Sequence, residues 1–133
     1  MGEPVRDGAE HRARRVLVID DDPAFHEFVY DALGADAIVD CVLTEFEALW
    51  ILERRPVDVV VCDMMLGHTD GRRLLEAVRD RWRSIARVLI TGFGDGLAEQ
   101  GEVAAQEVIW KPCDSMALRR AVERDGESPA AQT

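Results

Sequence analysis

The chain has 133 residues, of which 47% are hydrophobic and 32% charged, and its formal net charge is −10 at pH 7. This length and composition predict one globular domain and exclude a chain that is disordered throughout. The acidic balance argues against direct nucleic-acid binding and against an anionic membrane surface, because both attract basic proteins. No apolar run is long enough to insert into a membrane. Three cysteines, Cys41, Cys62 and Cys113, lack metal-ligand spacing and are interpreted as free thiols of a cytoplasmic protein.

Short runs rich in β-branched residues predict the strands of a sheet. Three of them, residues 16–19, 57–62 and 88–90, are largely apolar, as is typical of strands buried on both faces of a parallel sheet. Residues 37–43 and 107–110 are weaker strand candidates. The chain therefore offers about five strands.

Helical periodicity fills the gaps between these runs. Asp22 is a suitable N-cap and Pro23 suits the first helical position, so one helix begins there and ends at Gly34. Apolar residues at helical spacing predict three more helices: Phe46, Leu49, Trp50 and Leu52; Leu74, Leu75, Val78 and Trp82; Leu118, Ala121 and Val122. We interpret Trp50 and Trp82 as packing residues.

A strand and a helix alternate about five times along the chain. This order predicts an α/β fold with a doubly wound, five-stranded parallel sheet and right-handed crossovers. The fourth helix falls in residues 92–106, which contain four glycines, so we expect it to be short or irregular. We expect one domain at residues 14–124, between a flexible N-terminal segment, 1–13, and a flexible tail, 125–133.

Chemically active side chains follow four of the predicted strands. They are Asp20, Asp21 and Asp22 after the first strand, Asp63 after the third, Thr91 after the fourth and Lys111 after the fifth. In such folds, ligands bind beyond the carboxyl ends of the strands. Clustered carboxylates repel one another, and one lysine offsets only one charge, so a hard divalent cation such as Mg²⁺ suits the remainder. A metal, a lysine and a hydroxyl around one carboxylate would stabilise phosphoryl transfer to it.

The motifs at these strand ends resemble the receiver domain of two-component response regulators. The matching segments are VLVIDDDP at 16–23, VVVCDMMLGHTDG at 59–71, VLITGFGDG at 88–96 and VIWKP at 108–112. Each motif is weak alone, but their order and spacing together are specific. The resemblance covers residues 15–124 and implies a flavodoxin-like (βα)₅ fold, with Asp70 and Gly71 in the turn before the third helix.

The resemblance implies a role for each residue at the strand ends. Asp63 matches the phospho-acceptor, and Thr91 and Lys111 match the residues that contact the phosphoryl group. The implied metal ligands are Asp20, Asp21, Asp63 and the backbone carbonyl of Met65. The implied ion is Mg²⁺, with Mn²⁺ as an alternative. The Lys111–Pro112 peptide bond is expected to be cis, because the corresponding bond of the family usually is.

The implied function is a phosphorylation-activated signalling switch that catalyses only its own phosphorylation and dephosphorylation. The phosphoryl donor would be a sensor histidine kinase or a histidine phosphotransfer protein, and a downstream protein target would read the result. A homodimer is left open. Because residues 125–133 are too few for another module, we expect no attached output domain, either in a stand-alone receiver or in a receiver excised from a longer chain.

Three alternatives remain beside this interpretation. One is a degenerate receiver that serves as a phosphorylation-independent interaction module. Another is an aspartate-dependent phosphatase, which would need a second carboxylate at position 65, where Met65 stands. The third is nucleotide binding through the glycine cluster at 92–96, which is a weak signal.

Four features depart from the usual pattern of the family. Gly67 stands at a position that is usually Pro, Val108 at the aromatic switch position, and Cys113 at a position that is usually Phe. The interval from Thr91 to Lys111 is also short. Because the fourth helix and fifth strand normally form the signalling face, we expect an altered readout.

Overall fold

The computed structural model describes residues 13–92 and 103–123. Five strands form one parallel sheet: β1 (Arg14–Ile19), β2 (Ala37–Val42), β3 (Val59–Asp63), β6 (Ala86–Thr91) and β7 (Glu107–Trp110). Their order across the sheet is β2-β1-β3-β6-β7, and all four strand pairs are parallel. A two-stranded antiparallel hairpin joins β4 (Met65–Leu66) to β5 (Thr69–Asp70). The predicted α/β fold with a five-stranded parallel sheet is confirmed.

Within the described residues, four helices pack on this sheet, and each begins after a capping side chain. They are α1 (Pro23–Leu33), α2 (Glu45–Leu52), α3 (Gly71–Arg81) and α4 (Ser115–Val122). The caps are Asp22, Thr44, Asp70 and Asp114, whose side-chain oxygens accept hydrogen bonds from backbone amides of the first turn. The predicted start of α1 after Asp22 and its end at Gly34 are confirmed.

The hydrophobic core lies on both faces of the sheet. Strands β3 and β6 are buried along their whole length, as their apolar sequences predict. One face packs against α2 and α3, with Leu74 and Leu75 buried at its centre. The other packs against α1 and α4, through Val29 and Leu118. This two-sided burial fixes the strand ends that carry the polar side chains.

The prediction that Trp50 packs in the core is wrong. Trp50 and Phe46 of α2 are exposed, and the buried stripe of this helix is Ala48, Ile51 and Leu52. The helix is apolar on more than one side, so its periodicity did not determine which stripe faces the sheet. Trp82 is partly buried at the edge of the core, as expected.

The described residues contain four helices and none in the place of the predicted fourth helix, which is consistent with the expectation that this helix is short or irregular. Residues 93–102 lie outside the described part of the chain, as do nearly all of the two predicted flexible ends, and residues 103–106 form no helix. The segment at 103–106 is tied to β6 by Arg87, which is 1% exposed. Its Nε donates to the Ala104 carbonyl at 2.8 Å, and its amide donates to Gln106 Oε1 at 2.7 Å.

Candidate functional site

The sheet brings the predicted site residues to one edge. Asp20 follows β1, Asp63 ends β3, Thr91 ends β6 and Lys111 follows β7. The parallel register aligns these ends, pairing Ile19 with Cys62, Asp63 with Ile90 and Thr91 with Trp110. The carboxyl ends of β1, β3, β6 and β7 therefore face one common pocket.

Three carboxylates form an acidic cluster in this pocket. Asp20, Asp21 and Asp63 each offer an oxygen, and these oxygens lie within 4.8 Å of one another. Asp20 is fully buried and Asp63 is 8% exposed, whereas Asp21 is open to solvent. Carboxylates at this spacing repel one another, and burial strengthens the repulsion.

Lys111 supplies the positive charge inside the cluster. It is the only lysine in the sequence. Its Nζ donates to Asp20 Oδ2 at 2.9 Å, lies 3.6 Å from Asp63 Oδ2 and stands 4.7 Å from the centre of the Phe25 ring. Burial alone would lower the pKa of Lys111, but the carboxylates of Asp20 and Asp63 outweigh it and raise that pKa above its ordinary value. Lys111 is therefore a stable ammonium group at neutral pH.

Asp20 is held from three directions. Its Oδ1 accepts a hydrogen bond from the Asp22 amide at 2.8 Å, while its Oδ2 accepts from Lys111. His26 Nε2 contacts its carbonyl oxygen at 2.6 Å. These contacts satisfy a buried carboxylate and fix the turn between β1 and α1.

Asp63 is the buried carboxylate at the end of the central strand. Its Oδ1 accepts a hydrogen bond from the Met65 amide at 3.2 Å. Burial and the neighbouring charge of Asp20 raise the pKa of Asp63, and Lys111 and the Met65 amide oppose that change only in part. An added cation in the pocket would favour the ionised form of this carboxylate.

Gly71 brings α3 close to the backbone of Asp63. A Cβ at this position would overlap the Asp63 carbonyl oxygen and lie 2.9 Å from Cys62 Sγ. The Gly71 amide donates to the Met64 carbonyl at 2.7 Å and closes the loop after β3. Sequence reasoning noticed Gly71 only as a turn residue, because the close approach is a contact between backbones.

Gly67 holds the exposed aspartate. Its amide donates to Asp21 Oδ2 at 3.2 Å, and its φ is +60°. Proline, the usual residue of the family here, has no N–H and a φ fixed near −65°, so it provides neither property. The sequence identified the departure at Gly67 but not this hydrogen bond, which joins residues far apart in the chain.

The other predicted residues lie around this centre. Thr91 is buried, and its Oγ1 is 3.5 Å from both Met64 Sδ and the Gly92 carbonyl. Met65 leaves half of its side chain exposed in β4. The Lys111–Pro112 bond is cis, as expected. Val108, at the aromatic switch position, is partly buried against the core face of α2 and α3.

An apolar groove of about 510 Å³ adjoins the acidic cluster. Phe25 and Phe28 of α1 line one side, and Lys111, Pro112 and Cys113 line the other. The two phenylalanine rings are 5.7 Å apart. Replacement of the usual Phe by Cys113 thus changes the wall of a groove that opens beside Lys111.

The donor set fits a hard divalent cation. Oxygen atoms from three carboxylates meet, one of them open to solvent, and a single ammonium group leaves net negative charge. Mg²⁺ prefers such oxygen ligands and retains water on its open positions. The acidic pocket that receiver domains typically use for Mg²⁺ is present here as this cluster of aspartates.

Comparison with known proteins agrees with this geometry. The chain is 33% identical over 118 residues to the hydrogenase transcriptional regulatory protein HoxA of Cupriavidus necator, covering 84% of this chain and 24% of that protein. It is 30% identical over 126 residues to the response regulator protein FleR of Pseudomonas aeruginosa, covering 90% and 26%. The chain thus spans about a quarter of the length of these curated relatives.

Solved structures share the fold. The signal receiver domain of an HD domain-containing protein from Pseudomonas fluorescens superposes with a TM-score of 0.75 at 26% identity, covering 84% of this chain and 88% of that one. The chemotaxis response regulator CheY4 of Vibrio cholerae superposes with a TM-score of 0.74 at 22% identity, covering 84% of this chain and 98% of that one.

No helix in the described residues is long and apolar enough to cross a membrane. The family model of the response regulator receiver domain matches residues 16–123 of this sequence, and the chain belongs to that family.

Proposed function

We propose that this chain is a signalling switch that accepts a phosphoryl group on Asp63 from a histidine kinase or a histidine phosphotransfer protein. The observation that carries the proposal is the pocket itself. The Asp63 carboxylate lies at the same edge of the sheet as two other aspartates, and it is 3.6 Å from Lys111 Nζ. A histidine-kinase donor implies a cytoplasmic site of action. The protein target that reads the switch would bind the phosphorylated form.

The proposed reaction is attack of one Asp63 carboxylate oxygen on phosphorus. The bond from phosphorus to the histidine nitrogen of the donor breaks, and the histidine keeps the electron pair. Asp20, Asp21, Asp63 and the Met65 carbonyl would hold a divalent cation. That cation, when bound, would supply positive charge to the transferring phosphoryl oxygens. The Met65 amide, 3.2 Å from Asp63 Oδ1, helps to orient the attacking carboxylate.

Lys111 lies close to two carboxylates, those of Asp20 and Asp63, and added negative charge on Asp63 would strengthen its contact on that side. In the unphosphorylated chain its shorter contact, 2.9 Å, is with Asp20, and its contact with Asp63 is 3.6 Å. A phosphoryl group on Asp63 adds negative charge on that side of the ammonium group. We expect Lys111 to bind a phosphoryl oxygen and Thr91 to donate its hydroxyl proton to another.

Mass spectrometry of the intact protein tests this proposal. After incubation with acetyl phosphate and Mg²⁺, we expect one added phosphoryl group, which Asp63→Asn and the omission of Mg²⁺ both abolish. Asp31→Asn, the same chemical change at an exposed position of α1, is the matched control and should leave the adduct intact. An adduct that survives in Asp63→Asn contradicts the proposal. A folded protein that takes no phosphoryl group from acetyl phosphate or from a panel of kinases would favour a phosphorylation-independent interaction module.

A further inference from the structure

Exposed apolar side chains are concentrated on two consecutive elements, β2 and α2. Eight large hydrophobic residues are exposed in the described part of the chain, and four of them lie on β2, on α2 or between them: Ile38, Leu43, Phe46 and Trp50. The other four are scattered over different elements: Tyr30, Met65, Trp110 and Met116. Single exposed hydrophobic residues need no explanation, but Phe46 and Trp50 line one groove together with Val42, and such a contiguous group marks an interaction surface. We call Val42, Phe46 and Trp50 the β2–α2 corner.

The β2–α2 corner has a ridge and a groove side by side. Phe46 and Trp50, 77% and 45% exposed, are four positions apart on α2 and so stand on one helical ridge. Beside them lies a groove of about 230 Å³, lined by Val42, Glu47, Ile51 and Arg55 in addition to the ridge residues. A surface with both a protruding aromatic side chain and a groove can complement a copy of itself.

The ridge is supported on the protein side. The guanidinium group of Arg54 stacks 4.2 Å from the centre of the Trp50 ring, and its Nη1 donates to the Trp50 carbonyl at 3.0 Å. This cation–π contact limits the motion of Trp50. A rigid aromatic anchor loses little conformational entropy when it is buried at an interface.

Charge around the corner selects an orientation. Glu45 and Glu47 stand in the first turn of α2, whereas Glu53 caps its end and is followed by Arg54 and Arg55. Arg54 lies 3.8 Å from Glu53, Arg55 lies 3.5 Å from Asp40, and Arg81 lies 3.4 Å from Glu53, so three arginines against two carboxylates leave this end of the helix with a net positive charge. If two α2 helices packed in parallel, like charges would meet at both ends. If they packed antiparallel, the acidic end of each helix would face the basic end of the other.

We propose that this chain binds a second copy of itself through the β2–α2 corner. The two α2 helices lie antiparallel about a two-fold axis, and Phe46 of each copy enters the groove of the other. Such an interface is isologous, since the same patch serves both copies. This inference does not depend on phosphorylation of Asp63.

Sedimentation equilibrium of the whole chain over a wide range of concentrations tests the interface. We expect a monomer–dimer equilibrium, and Phe46→Glu should weaken dimerisation at least about thirtyfold, the change that loss of an aromatic hot spot produces. Met116→Glu, at a 64% exposed position of α4, is the matched control and should leave the equilibrium unchanged. Phe46→Ser removes the same anchor without adding charge, so the test does not depend on one variant.

Charge reversal tests the orientation. Arg54→Glu with Arg55→Glu should weaken the dimer, and adding Glu45→Arg with Glu47→Arg to the same chain should restore it. A chain that stays monomeric at every concentration overturns the proposal. So does a dimer that Phe46→Glu and Phe46→Ser leave intact, or one that Met116→Glu weakens equally. Thermal unfolding of each variant verifies that its fold is preserved.

Discussion

The acidic pocket has a buried half and an exposed half, which are built differently. In the buried half, Asp20 and Asp63 share the ammonium group of Lys111, and backbone amides complete their hydrogen bonds. In the exposed half, Asp21 accepts one hydrogen bond within the described residues, from the Gly67 amide. The protein thus balances one of the two buried carboxylate charges with Lys111, while the exposed carboxylate keeps its charge for a ligand from solvent.

This difference separates two tasks that a phosphorylation site must combine. The nucleophilic carboxylate needs a fixed position and a partly dehydrated environment, which the end of a buried strand provides. The cation and the phosphoryl donor must arrive from solvent, so at least one ligand must be accessible. Substitutions in the two halves should therefore affect different quantities: folding stability in the buried half and ligand binding in the exposed half.

The largest effect on stability is expected for Lys111→Met. Loss of the ammonium group leaves the buried Asp20 without its partner, and breaking such a pair costs about 3 kcal/mol of folding free energy. Asp21→Asn is the matched change in the exposed half and should alter stability by less than about 0.5 kcal/mol. Urea unfolding in Mg²⁺-free buffer measures both. Equal losses for the two variants would refute the division of the pocket.

Mg²⁺ should stabilise the folded protein, and the exposed half should control how much. A ligand that binds only the native state adds about 2.7 kcal/mol when its concentration is 100 times its dissociation constant. Because Asp21 is the accessible carboxylate of the proposed cation site, Asp21→Asn should remove most of this gain while leaving the Mg²⁺-free protein unchanged. Thermal unfolding against Mg²⁺ concentration reports the effect. An undiminished gain in Asp21→Asn would show that this residue does not bind the cation.

Gly67 and Gly71 should differ in the reason that each is needed. Gly71→Ala places a Cβ against the Asp63 backbone and should destabilise the fold by about 1–3 kcal/mol, because the site cannot expand. Gly67→Ala meets no atom within 4 Å, and its expected loss of about 1 kcal/mol comes from φ alone. Gly67→Asn, which tolerates positive φ, should lose less than Gly67→Ala. If Asn and Ala were equally damaging at position 67, the conformational explanation would fail.

The smallest effect is a pH dependence that originates at Asp63. Burial and Asp20 raise its pKa above the ordinary value of 3.8, so the native state holds this proton more tightly than the unfolded chain does. Ionisation of Asp63 therefore lowers stability as the pH rises from 3.8 through the raised native pKa. Asp63→Asn should stabilise the Mg²⁺-free protein at neutral pH, and this advantage should vanish below pH 3.8. Urea unfolding at several pH values tests the sign, and a stabilisation that grows on acidification would contradict it.

Local signals in the sequence were enough to predict the five strands of the main sheet, the N-cap of α1 and the residues at the sheet edge. Asp22, Pro23 and Gly34 act within a few residues of their own positions, so their roles are readable from the sequence. The exposed side of α2 was not predictable, since Phe46, Trp50 and Leu52 give the helix apolar residues all round. Its orientation depends on the shape of the sheet beside it.

Long-range contacts were the second limit. The preference of Lys111 for Asp20, the hydrogen bond from Gly67 to Asp21 and the burial of Arg87 all join residues distant in sequence. Local patterns carry no information on which of several nearby carboxylates a lysine meets. The family resemblance implied that these residues assemble but not how they share their hydrogen bonds.

Chemical trapping of the phosphorylated residue tests the central claim most directly. Borohydride reduces an aspartyl phosphate to homoserine and leaves free carboxylates unchanged, so peptide sequencing by mass spectrometry identifies the acceptor. After treatment with acetyl phosphate and Mg²⁺, we predict homoserine at position 63 and unmodified aspartate at positions 20 and 21. Homoserine at either of those positions, or a phosphoryl group retained on His26, would contradict the assignment of Asp63 as the acceptor.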